Sequence, residues 1–486
     1  MMKSRPVAVL VTAFLGIAFF MSPTPMSAVE RPRGAADARL VCRVGGSEVQ
    51  TSTPRRTATF ATEPTQAATP TADLRLALGR LLAEHAFLTM ETMRAVAFGS
   101  PELQALRSGL DINTADLRGA IAGVYGADAG ARFTSLWNNH IEALIDYARA
   151  KSVGDADAAT KSQRLLDTYL DQFAAFLTKA NPHLNAKAEA AALRLHVTQL
   201  TAITDSNYVR AYEAEREAFS HMFMMGDELA LALARQFPGR YSDALIAFSP
   251  RTTLRVTLDR LLGEHLVLAA ESMRAGLART ADFPAARQAL AGNTADLQAG
   301  IAEYYGAEAG QKFGDVWREH VDAYIAFIEA VAAKDASARA ASLNRLHVYH
   351  DQIAAFLSSA NPYLEAPVVA ALIRRHVQAL ISQVESAEAG DHERTVATIR
   401  GAYAQTFEVG DALAMAIARQ FPDRFHDLKE LPFTSTHGPE SSPRLNLSEL
   451  ALLAGLALLG AVALVRRLDG RAQATRAQMR GRMRIE

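Results

Sequence analysis

Arg80-Leu-Leu-Ala-Glu-His85 returns as Arg260-Leu-Leu-Gly-Glu-His265, and Asn113-Thr-Ala-Asp-Leu117 returns as Asn293-Thr-Ala-Asp-Leu297. Working outward, Trp137-Asn-Asn-His140 matches Trp317-Arg-Glu-His320, Ala180-Asn-Pro182 matches Ala360-Asn-Pro362, and His196-Val197 matches His376-Val377. All of these pairs lie 180 residues apart. Further on, Arg235-Gln-Phe-Pro238 matches Arg419-Gln-Phe-Pro422 at an offset of 184, so copy two carries four extra residues. The chain is a tandem duplication, which sets two repeated modules at 72–241 and 252–425.

Each module reads as helical throughout. Leu74, Leu78, Leu81, Leu82, His85 and Leu88 recur at three- and four-residue steps, the stripe of an amphipathic helix. Short segments follow around Pro101–Leu110 and Asn113–Tyr125, with Asn113 or Thr114 as an expected N-cap. Longer helices are expected over about Asp128–Lys151, Asp157–Ala180, Lys187–Ile203 and Tyr208–Phe237, and Asn181-Pro182 closes the second of these. No stretch alternates as a strand. The predicted fold is all-α: two tandem helical-bundle modules, each of four longer helices plus short ones, with a C-terminal transmembrane helix.

The flanks place the modules. Lys3 and Arg5 precede the apolar run Val7–Met21 and the small residues up to Ala28, so 1–28 reads as a signal peptide. Residues 29–71 lack periodicity and read as a flexible leader holding the only cysteine, Cys42, which excludes a disulfide within the chain. After a linker at 426–446, the apolar segment 447–465 reads as a transmembrane helix, and 466–486 is a tail with seven arginines. The expected placement is a single-pass membrane protein with its modules extracytoplasmic and its C-terminus cytoplasmic. Leu431-Pro-Phe-Thr-Ser435 looks like a degenerate cell-wall sorting signal, but Ser435 replaces the usual glycine, so plain membrane anchoring is the expectation adopted. With 51 basic and 52 acidic residues, nothing marks a nucleic-acid surface.

Four histidines carry the only candidate chemistry. His85, His140, His196 and His221 each sit on the apolar stripe of their own helix, so in a bundle all face the interior. Converging imidazoles suit a transition metal, copper in particular, or a haem with two axial imidazoles. Met222, Met224 and Met225 add sulfurs that suit copper, and Glu84, Glu91 and Glu217 are expected to orient the imidazoles. The bland alternative makes the histidines core residues bonded to Tyr125, Tyr169, Asp171 or Gln172, whose counterparts are Tyr305, Tyr349, Asp351 and Gln352. In copy two, His265, His320 and His376 recur but Gln405 replaces His221, so any site there is expected to be altered or lost. His347 and His350 add a separate surface candidate. No Glu-x-x-His pair, His-Glu-x-x-His, haem-attachment motif, phosphate loop or nucleophile elbow appears, so no catalytic residue is assigned and a non-enzymatic protein is expected. The alternatives are a surface interaction or spacer module and, third, a redox enzyme.

In this order, Leu-Leu-x-Glu-His, Asn-Thr-x-Asp-Leu, Tyr-Gly-x-x-Ala-Gly, Trp-x-x-His, Ala-Asn-Pro and Arg-Gln-Phe-Pro resemble an uncharacterised family of secreted bacterial duplicated helical repeats. Some of its members stand beside copper-amine-oxidase N-terminal-like segments. The resemblance spans both modules, roughly Leu74–Phe425. It implies an exported duplicated helical domain and no transferable activity.

Overall fold

In the computed structural model, residues 69–426, 428 and 431 are described. The expected signal peptide, Cys42, the expected transmembrane helix and the basic tail all lie outside these residues. Among the described residues no helix is long and apolar enough to cross a membrane, and there is no strand.

Module 1 comprises α1 (Pro70–Phe98), α2 (Leu103–Tyr125), α3 (Ala127–Ser152), α4 (Ala156–Ala180), α5 (Ala186–Asp205) and α6 (Tyr208–Gln236). A four-residue helix, α7 (Ala244–Ala247), connects it to module 2. That module repeats the pattern as α8 (Pro250–Ala278), α9 (Phe283–Tyr305), α10 (Ala307–Ala333), α11 (Ala336–Ala360), α12 (Ala366–Glu388) and α13 (His392–Gln420). Each module therefore holds six helices of 20 residues or more, a correction to the expected four longer helices with short connectors.

Local chemistry sets the boundaries. Thr69 caps α1 by accepting from the Ala72 amide, and Pro70 follows at the first position, where its missing N–H is harmless. Asn185 caps α5 through the amides of Lys187 and Ala188. As expected, α2 stops at Gly126, whose positive φ of 90° turns the chain directly into α3. Asn113 is not a cap. It lies inside the continuous α2, buried, and its Nδ2 donates to Leu81 O (3.0 Å) and Glu84 Oε2 (2.8 Å).

The two modules are not independent bundles. One hydrophobic core runs through both and includes Leu88, Leu144 and Leu200 together with Leu268, Ile328 and Leu380. A smaller apolar cluster seats α7, joining Leu74 and Leu231 to Tyr241 and Phe248. Where α1 and α6 cross, a Cβ on Gly226 would lie 2.5 Å from the Gly79 amide nitrogen, so the two backbones approach as closely as glycine permits.

Charges seal the contact between modules reciprocally. Arg216 on α6 binds Glu264 at 2.9 Å and Asp296 at 2.5 Å. Its copy, Arg400 on α13, binds Glu84 at 2.9 Å and Asp116 at 3.4 Å. Such an exchange, with each residue contacting the copy of its counterpart's partner, is the pattern of an isologous interface. Deeper in, the buried guanidinium of Arg94 meets Glu91, Glu215 and Glu271, while Arg274 meets Glu91, Glu271 and Asp282. The symmetry is not complete: Glu215 has Ile399 as its counterpart, and Arg80 pairs with the fully buried Asp259, whose counterpart in module 1 is Gly79.

Candidate metal centre

Helices α1, α3 and α5 each turn one imidazole inward. His85 and His140 are fully buried and His196 is 3 % exposed, as expected for polar groups placed on apolar stripes. Ligand nitrogens of the three lie within 4.8 Å of one another. His85 Nε2 and His140 Nε2 are 3.1 Å apart. Two nitrogens bound at about 2.05 Å with a tetrahedral angle between them would be about 3.3 Å apart, close to this spacing, which is equally that of an N–H···N hydrogen bond between the two rings.

Aromatic rings fix the imidazoles. The Trp137 ring lies 4.4 Å from the His85 ring, and Tyr169 stacks on His140 at 4.5 Å with the planes 19° apart. Polar partners are sparse: Thr89 Oγ1 lies 3.4 Å from His85 Nδ1. Neither nitrogen of His196 has a hydrogen-bond partner, while His140 is held by a hydrogen bond with the Trp137 backbone. Burial drives the pKa of His140 down to about 3. Burial first, then the neighbouring imidazoles, hold His85 and His196 well below the usual histidine range. All three are therefore neutral at pH 7, the state in which imidazole ligates metals.

Module 2 repeats the arrangement. His265, His320 and His376, from α8, α10 and α12, form a second buried triad within the same 4.8 Å limit. Its closest nitrogens, His320 Nε2 and His265 Nε2, are 3.3 Å apart, and Tyr349 stacks on His320 at 4.5 Å. Burial lowers His320 to about 3 and His376 to about 4. Any site in copy two was expected to be altered or lost; the three histidines converge there as well, and Gln405 in place of His221 falls outside them.

His221 itself does not join the convergent group. Its Nδ1 is bonded to Gln199 Oε1 on α5 at 3.1 Å. The carboxylates expected to orient the imidazoles are engaged elsewhere: Glu84 with Arg400 and Asn113, Glu91 with Arg94, and Glu217 with Arg210. Met222 is buried, but Met224 is 59 % exposed and faces away from any buried site. His347 is exposed, and His350, bonded to Arg374 Nε at 3.4 Å, belongs to no convergent group.

The hydrogen-bond partners expected for purely structural histidines are not realised either. Tyr125 donates to Gln236 Oε1 at 2.7 Å, Asp171 and Gln172 are exposed, and Tyr169 offers its ring face. A bis-imidazole haem does not fit. Axial nitrogens about 2 Å from iron on opposite sides would be about 4 Å apart with the macrocycle between them, whereas here the closest pair is at 3.1 Å. The cavity against the triad, about 70 Å³, is also far below the roughly 300–1,000 Å³ of sites for drug-sized ligands. Three neutral nitrogen donors in a dry setting suit copper or zinc. No protein-family model, curated protein or solved structure matches the chain.

Proposed function

We propose that the chain is an extracytoplasmic, membrane-anchored protein that holds two transition-metal ions, one in each module, through His85, His140 and His196 and through His265, His320 and His376. The observation that carries this is a buried group of three imidazoles with a nitrogen of each within 4.8 Å of the others, present twice in one chain. The Nε2 atoms of His85 and His140 already face each other at 3.1 Å, so His196, both of whose nitrogens lack a partner, gains most from an ion: a buried polar group left unpaired costs about 1–3 kcal/mol. Copper is favoured in module 1, because the buried thioether of Met222 lines the same cavity as His196. The exported placement rests on the signal peptide at 1–28, the apolar segment at 447–465 and the arginines that follow.

The test uses the full chain purified in detergent, incubated with Cu(I) or Zn(II) and desalted before mass spectrometry. Two ions per chain are expected. His140→Ala or His320→Ala leaves one, and the double variant leaves none. A chain that retains no ion, or retains ions unchanged in the double variant, would overturn the proposal and leave a spacer or interaction module.

A further inference from the structure

Holding an ion requires no empty space, yet module 1 keeps a cavity of about 70 Å³ against its triad. His196 lines it, and so do Trp137 and Tyr169, the two rings packed on the other imidazoles. The rest of the wall is apolar, with Phe173, Leu193 and Met222 among it. Tyr125, Ala180 and Asn181 also line it, and Asn181 Nδ2 donates to Tyr125 Oη (3.3 Å) while Gln236 Nε2 donates to Ala180 O (2.8 Å).

Module 2 has the same helices, the same triad and the same hydrogen bonds at Asn361 and Gln420, but its cavity is smaller and placed differently. Its cavity is about 20 Å³ and lies at the Tyr305 and Asn361 end, reaching neither His376 nor Trp317 nor Tyr349. The walls differ where Ala120, Phe173, Leu193, Met222, Met225 and Leu233 become Gly300, Ile353, Ile373, Thr406, Val409 and Ile417. Duplication thus supplies an internal control, in which two equivalent imidazole triads differ in the room beside them.

What that room admits follows from its size and lining. A buried water needs two to four polar partners, and an apolar cavity without them stays dry. An engineered apolar cavity of roughly 150 Å³ takes benzene or xenon, so about half that volume takes a molecule of two or three heavy atoms. We propose that module 1 binds a diatomic gas of the dioxygen, nitric oxide or carbon monoxide class in this cavity, next to the ion. The placement beside an ion rests on the metal-site proposal above; the binding of a small apolar molecule does not.

Two arms of one experiment separate these claims. Crystals of the metal-free full chain are pressurised with xenon. Density is expected in module 1 and absent from module 2, and Ala120→Leu, which adds three carbons to the cavity wall, removes it. No xenon in module 1, or equal occupancy in both modules, would overturn the cavity proposal whether or not metal binds. In the second arm the Cu(I)-loaded chain is titrated with carbon monoxide and followed by infrared spectroscopy. One equivalent per chain is expected, kept in His320→Ala and lost in His140→Ala. Two equivalents, or none on a chain shown to hold copper, would refute the preference for module 1.

Discussion

Replacing Arg94 by methionine tests the buried charge network between the modules. The guanidinium is 3 % exposed and touches Glu91, Glu215 and Glu271, with its face 4.9 Å from the Tyr212 ring. With Arg274 it supplies two cations against four carboxylates, the fourth being Asp282. Burial raises Glu215 and Glu271 despite Arg94, whereas the arginines outweigh burial at Glu91, and Arg274 helps bring Asp282 down to about 2. Two acids are thus held ionised and two pushed toward the neutral form, which brings the cluster close to balance. Methionine keeps the apolar stem and removes one charge. Breaking a buried pair in this way costs about 3–5 kcal/mol, or about 5 °C in Tm for a unit of roughly 350 residues. The pH dependence has a definite sign. Glu215 and Glu271 have folded pKa values above their unfolded ones, so their contribution is fully present below the ordinary glutamate range and is lost as pH rises through the folded values. Without Arg94 those values rise further, so the loss grows with pH. Thermal denaturation at pH 5 and pH 8 reads this out: the variant should lose more at pH 8, and adding Glu215→Gln with Glu271→Gln should recover most of the difference. An equal loss at both pH values, or less than about 1 kcal/mol at pH 8, would refute the reasoning.

Two further outcomes follow from single buried groups. Burial raises the Asp259 carboxyl to about 7, with Arg80 opposing and Asp411 adding to the rise. Its contribution to stability therefore declines from about pH 4 to pH 7, by at most about 4 kcal/mol, and Asp259→Asn should flatten that part of the denaturation profile; an unchanged slope would contradict the assignment. The Tyr349 hydroxyl is buried with no hydrogen-bond partner, so Tyr349→Phe should be neutral or stabilising by up to about 2 kcal/mol. A clear drop in Tm would show that the hydroxyl has a partner.

Much of this was legible in the residues. The 180-residue offset gave both modules, and the helix limits at Asn181 and Gly126 followed from the chemistry of those residues. Three of the four candidate histidines converge because an apolar stripe dictates which way a helix faces. That rule fixes direction and not depth, so it also admitted His221, which meets Gln199 on α5 instead. The second triad is legible in the same way. His265, His320 and His376 all recur, and the altered position, Gln405, was never part of the group. Segments around Asn113 looked like a helix start because asparagine favours caps; its buried bonds to Leu81 and Glu84 override that preference. The interface was hidden, since Arg216 and Arg400 find their acids on helices far away in sequence, and a lone arginine among polar neighbours reads as a solvated face. A usable signal was the recurrence of Arg94 and Glu91 as Arg274 and Glu271 at positions otherwise apolar. The cavity had no signal in one sequence, because it arises from how differing side chains fill two equivalent spaces.

The pair formed by Arg80 and Asp259 has a further consequence. Were the two modules separate identical chains, whatever stood at this position would be present twice, and an acid there would bring a second buried acid with it. Covalent linkage releases the halves from that obligation. One copy keeps Gly79 and lets two helices touch; the other carries Asp259 and anchors an arginine from its neighbour. The same freedom reaches the triads, for the cavity of module 1 adjoins His196 and the cavity of module 2 lies at its Tyr305 and Asn361 end. What looks like repetition is therefore a scaffold on which the two halves were able to specialise separately.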